Sequence, residues 1–200
     1  MKKILFLSFL FLFNYSLFSQ NKFETYNSSY FNKDYSISIA ENDNKSIDFY
    51  IQVSSMDKIS KDATLLINSK NLEEFKSFII DIKETYKKWC QTATENKVAE
   101  LNKNVEYKKL SYTSAFLYGK WHFDFSTDIS ANFRIINDKY LMIVKSDQLN
   151  ASGNQYIKSD GFVIVFNSEK EFDDFLSKLD IAKATNFFAE KISKEDLFKK

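Results

Sequence analysis

Proline is absent from this 200-residue chain, and glycine occurs three times, at 119, 153 and 161. Collagen-like repeats, Pro-rich linkers and Gly-rich phosphate loops are thereby excluded. One histidine, one cysteine and one arginine are present. An intrachain disulfide needs a second thiol, and a Cys/His zinc site needs several ligands of those types, so neither can form. Arginine supplies the rigid two-pronged fork that reads phosphates and base edges. With Arg134 alone available, nucleic acid is not expected as a partner. Gly-x-Ser-x-Gly, dinucleotide-binding and His-Glu-x-x-His motifs are missing as well. What is abundant is apolar and aromatic: 44% hydrophobic residues, with 21 Phe, 11 Tyr and 2 Trp. That suffices for a real core and rules out global disorder.

The chain opens MKKILFLSFLFLFNYSLFSQN. Lys2 and Lys3 precede an apolar stretch from Ile4 to Phe18, and small Ser19 stands before Gln20. This is the layout of a secretory signal peptide, and the stretch is short against the roughly 20 residues that span a bilayer. We expect a signal peptide over 1–19, a single α+β domain over 20–200, and periplasmic or secreted residence without a stable membrane span. The Lys- and Asn-rich, Arg-poor usage fits an AT-rich bacterial genome. Taking Lys2 and Lys3 from the 28 basic residues leaves 26 against 27 acids, a formal charge of −1. Such a chain has no bulk attraction to nucleic acid or anionic lipid.

Period-two alternation predicts a hairpin over 35–54, a short strand over 63–67, and a mixed strand from Val105. Further strands are expected at Phe116–Tyr118 and Trp121–Phe125, a hairpin over 132–146, and a central strand over 162–166. Leu72, Phe75, Ile79, Ile82, Tyr86, Trp89 and Ala93 step by three and four, widened by Phe78 and Cys90, which predicts a long helix over 71–102 capped by Ser69 or Asn71. Ser168 with Glu171 forms a capping-box pattern before a shorter helix over 169–180. The tail reads as one or two short helices. The expected fold is an antiparallel sheet of about eight strands with one long and one shorter helix.

Two junctions echo each other. Leu66-Ile67-Asn68-Ser69 leads into a helix bearing Leu72-Glu73-Glu74-Phe75, and Val165-Phe166-Asn167-Ser168 into one bearing Phe172-Asp173-Asp174-Phe175. The echo predicts two β-hairpin/strand/helix pseudo-repeats, about 35–102 and 105–180.

No residues assemble into a catalytic constellation, so catalytic, metal and cofactor sites are all expected to be none. Cys90 reads as a small buried hydrophobe. His122 and Asp124 alternate away from Trp121 and Phe123 and are expected to face solvent or a groove. A hydrolase, the least favoured class, would need one of them opposite a second acid. Tyr26, Tyr30, Tyr35, Tyr50, Tyr107, Tyr112, Tyr118, Trp121 and Tyr156 exceed what the expected elements cover, and rigid amphipathic rings suit interaction surfaces. The expected function is an exported, non-enzymatic binding or scaffold protein of the bacterial envelope, with Tyr118, Trp121, His122, Asp124 and Tyr156 as binding residues. Its partner would be a protein, a glycan or an apolar small molecule. An alternative is a carrier of a small apolar ligand in a cavity lined by Phe75, Ile79, Phe123 and Phe162. Polar oxygens at Asn42-Asp43-Asn44 and Asp147–Asp160 lack the spacing of a calcium loop.

Overall fold

A computed structural model describes residues 20–58 and 62–196. The leader over 1–19, residues 59–61 of the charged break, and Leu197 and Phe198 of the tail lie outside the described residues. In chain order the elements are β1 (Asn21–Ser28), β2 (Lys33–Glu41), β3 (Ile47–Ser55), β4 (Asp62–Ile67), α1 (Leu72–Glu95), β5 (Leu101–Tyr118), β6 (Lys120–Ile136), β7 (Lys139–Ser146), β8 (Leu149–Asn150), β9 (Lys158–Ser159), β10 (Phe162–Phe166), α2 (Glu169–Ser177) and α3 (Ile181–Asp196).

Alternation forms the strands as expected. In β3 the fully buried residues are Phe49, Ile51 and Val53, and in β4 they are Ala63, Leu65 and Ile67, while Tyr50, Gln52, Thr64 and Leu66 face outward and are half-buried. The β6–β7 hairpin turns on Asn137 and Asp138, both at positive φ (49° and 59°). This is the two-residue geometry that matches the twist of paired strands.

The class is α+β, with eight antiparallel strands in the order β1-β2-β3-β10-β7-β6-β5-β4, and β4 also pairs with β3. Six strands, β3-β4-β5-β6-β7-β10, therefore close into a barrel, a feature absent from the sequence-based expectation. Closure rests on two residue pairs, Phe162 with Ser55 and Val163 with Ser54. The remainder of that edge of β3, Ile47 to Ile51, holds β2. The seam is strengthened beyond the ladder: Met56 donates its amide to the Gly161 carbonyl (2.8 Å). The Asp57 carboxylate accepts from Ser159 Oγ (2.5 Å) and the Asp160 amide (2.9 Å).

The helices join the core on the inner face. Along α1, Leu72, Phe75, Phe78, Ile79, Ile82, Tyr86 and Ala93 are buried, the expected stripe, with Trp89 and Cys90 half-buried. Phe75 meets the ring of Tyr112 from β5 and that of Phe175 from α2. Phe166 stacks on Phe172 with centroids 4.1 Å apart. Tyr86 donates to the Asn167 carbonyl at 2.7 Å, tying α1 to the start of α2.

Three expectations need correction. First, α1 stops at Glu95, not near 102. Lys97 turns left-handed (φ 52°), and the amides of Lys97 and Val98 bond to the carbonyls of Thr94 and Ala93, the two reverse bonds that terminate a helix. Second, Asn71 stands at the N-cap of α1 as expected, but its side chain makes no cap bond; Asn68 Oδ1 instead accepts from the amides of Lys70 and Asn71 (3.1 and 3.0 Å). Ser168 does cap α2, but Glu171 reaches past it to the amides of Asn167 (2.7 Å) and Ser29 (3.0 Å). Third, the separate strands read over 105–125 merge into one hairpin of 18- and 17-residue strands. The tail forms one helix, α3, of 16 residues, within the one or two expected.

Candidate functional site

The β5–β6 hairpin ends at Gly119, whose positive φ (68°) suits a turn where Tyr118 pairs with Lys120. Nothing lies within 4 Å of a Cβ built there, so glycine serves the backbone conformation and not a close approach. Beyond this turn β6 exposes Trp121 (48%), Phe123 (41%) and Phe125 (67%), and Tyr118 stands at 61%. The Phe123 and Phe125 rings lie parallel, 6.2 Å apart at 6°. Half-buried Leu117 pairs with Trp121 and carries this surface onto β5, whereas Ala115, paired with Phe123, is buried.

Sequence alternation puts these three rings on one face of the strand and His122 and Asp124 on the other, with the polar pair expected toward solvent or a groove. The two faces are as read, but the rings hold the more exposed one, and the cause is a β-bulge. Tyr112 pairs with Thr127, but Ser114 pairs with Asp124, so Phe125 and Ser126 together oppose Thr113. The extra residue flips the phase of the strand. Thr127, Ile129, Ala131, Phe133 and Ile135 are buried on the odd phase, whereas past the bulge the even residues turn in. The Ser126 amide bonds to Asp124 Oδ1 (2.9 Å) and holds the bulge. His122 packs against buried Phe116 with ring centroids 5.7 Å apart.

Asp124 and His122 are thus occupied separately. The second Asp124 oxygen accepts the Asn150 amide at 2.7 Å, and the Ser152 amide bonds to the Phe123 carbonyl at 2.8 Å. These bonds lay the 147–160 segment along β6 and bury Leu149 and Ala151. His122 Nε2 lies 3.3 Å from the Tyr118 carbonyl. Neither side chain orients the other, so the geometry makes no base with an orienting acid. Cys90 is half-buried and burial pushes its thiol up, with the Tyr86 hydrogen bond opposing; a thiolate is disfavoured there.

Two clefts flank the hairpin end. One, of about 580 Å³, is lined by Asp57, Lys58, Leu117, Tyr118, Gly119, Lys158 and Asp160. The other, of about 330 Å³, is polar and brings Trp121 against Gln20, Ser36, Ser38, Tyr50, Gln52, Asp62 and Thr64. Burial, and Asp48 beside it, raises the Tyr50 phenol above its ordinary range, so the second cleft presents it as a neutral hydroxyl. Comparison with protein-family models, curated proteins and solved structures finds no match. The site is therefore read from its own geometry.

Of the five residues singled out from sequence, Tyr118 and Trp121 share the exposed hairpin end. Tyr156, at 85% exposure, projects from the loop between β8 and β9, and His122 and Asp124 lie on the opposite face as supports. Phe125 was missed as a binding residue; its alternation with Trp121 and Phe123 was visible, the bulge that exposes it was not. Tyr26, Tyr35 and Tyr112 of the surplus aromatics are buried. The four residues expected around an apolar cavity are divided: Phe75, Ile79 and Phe162 are fully buried inside, and Phe123 lies on the outer face. Among the described residues no three of His, Cys, Asp and Glu gather as metal ligands, and Asn44 Oδ1 is used by Ser46 in the β2–β3 turn. No helix among the described residues is long and apolar enough to cross a membrane.

Proposed function

We propose that this chain is an exported, non-enzymatic binding protein of the bacterial envelope that presents the end of the β5–β6 hairpin to a protein partner. The observation that carries the reading is the bulge at Phe125–Ser126, which turns Trp121, Phe123 and Phe125 into water as one surface. Large rings held rigidly at low entropy cost are the groups that anchor protein interfaces. Two of the three rings are phenylalanines, wholly apolar groups of the kind that fill the buried centre of a protein interface, which favours a protein partner. A photoreactive phenylalanine at position 125 should give one discrete cross-linked species in native envelopes, whereas the same group at exposed Ile80 on α1 gives none. Equal labelling from both positions, or none from 125, would refute the proposal.

Export rests on the leader composition of residues 1–19. Amino-terminal sequencing of the native protein should begin at Gln20 or Asn21; an intact Met1 on a cytoplasmic species would remove it. The echo of the two strand-to-helix junctions is read as an internal duplication, supported by β4 and β10 each pairing antiparallel with the second strand of the hairpin before it, β3 and β7. A superposition of 63–80 on 162–180 that cannot align strand and helix together would end that reading.

A further inference from the structure

We propose that the groove between the end of α1 and the start of β5 binds a fatty carboxylate, a single apolar chain with an anionic head. This site is separate from the hairpin end and does not depend on it. The groove has a volume of about 350 Å³, with Trp89, Ala93, Val98 and Leu101 among its lining residues and Lys88 and Lys103 beside them. Ligand sites run from about 300 to 1,000 Å³, so this one takes a single chain and not a two-chain lipid.

Its shape follows from two backbone features. The reverse bonds that end α1 bring Val98 over Ala93, forming one wall. The register of β5 shifts between Val105 and Leu110, so that Leu101 and Lys103 share the inner side with their partners Ile135 and Phe133. Trp89 packs edge-on against Phe133, centroids 5.5 Å apart at 73°, which fixes its ring. Lys103 Nζ then sits 4.6 Å from the centroid of that ring.

Charge selects the head. Lys83, Lys87, Lys108 and Lys109 each pair with a carboxylate. Lys88 and Lys103 have no carboxylate partner among the described residues, and no acid lines the groove. The carbonyls at the α1 terminus, which would repel an anion, are already bonded: Thr92, Ala93 and Thr94 accept from the amides of Asn96, Val98 and Lys97. An anion arriving here therefore meets two ammonium groups above an apolar floor, and the tail covers Trp89 and Leu101.

The test is calorimetric titration of the full chain with dodecanoate below its micellar concentration, beside dodecyltrimethylammonium as the cation of equal chain length. Saturable one-to-one binding of dodecanoate is expected, with the cation at least tenfold weaker. Exchanging both lysines, Lys88→Gln with Lys103→Gln, should weaken dodecanoate at least tenfold at unchanged melting temperature, since both side chains are exposed. Absence of saturable heat, equal binding of the cation, or full affinity in the double lysine variant would each overturn the proposal.

Discussion

Gly161 is the residue on which the barrel seam depends most directly. Its φ is +101°, and a Cβ there would stand 2.6 Å from Ser146 Oγ and 2.7 Å from the Asp147 carbonyl oxygen. Both the backbone conformation and the space therefore exclude a side chain, and the clash with the Asp147 carbonyl is with backbone that cannot rotate away. Gly161→Ala is expected to destabilise by about 2–4 kcal/mol, strain and overpacking together, measured by urea unfolding. Thr127 points the other way. Its hydroxyl is buried without a protein partner, as are those of Ser114 and Tyr112 nearby in the sheet. An unpaired buried hydroxyl costs about 1–3 kcal/mol, so isosteric Thr127→Val should raise the melting temperature. Asp128 sets an acid limb to stability. The Lys109 ammonium at 2.6 Å, then the Ser111 hydroxyl, hold its carboxyl below the ordinary carboxylate range. A depressed folded pKa adds stability above the unfolded value near 4 and loses it as pH falls through the folded one. Asp128→Asn should thus be less stable than the parent at pH 7 and converge with it in strong acid, a small effect because both partners face water.

At the scale of elements, the hairpin shows how one inserted residue decides what a strand displays. Phe133 and Phe125 both lie at odd positions of β6, yet the first is fully buried and the second is 67% exposed. Phe133→Ala is expected to cost about 3–5 kcal/mol, and Phe125→Ser to stay within about 0.5 kcal/mol, as surface changes do. Similar losses at both positions in denaturant melts would show that the bulge does not form. The helix α1 illustrates the opposite case, where local pattern and structure agree. Its stripe was legible residue by residue because the 3.6-residue period needs no partner to be seen. Its end was not, because a left-handed Lys97 without glycine carries no sequence signal, and the alternation of β5 resumes only afterwards.

At the scale of the whole molecule, closure through two residue pairs makes Asp57 a fastener across 102 residues of chain, bonded to Ser159 and to the Asp160 amide. Asp57→Ala leaves these donors unanswered and is expected to cost about 1–3 kcal/mol. Hydrogen exchange should locate the loss: the Met56 and Phe162 amides should open before those of the β6–β7 ladder. Uniform acceleration everywhere would mean that the seam is no separate weak point. The amino-acid sequence by itself determined the α+β class, the positions of most strands, the buried stripe of α1 and the exclusion of an intrachain disulfide and of a cysteine-and-histidine zinc site. Each of these follows from composition or from a short-range period. Only the tertiary structure decided that six strands close on themselves, that the Trp121–Phe125 rings face outward, and that Trp89 meets Lys103. Those outcomes depend on register between strands distant in sequence, and a single bulge reverses the face of every residue beyond it while leaving the alternation itself unchanged.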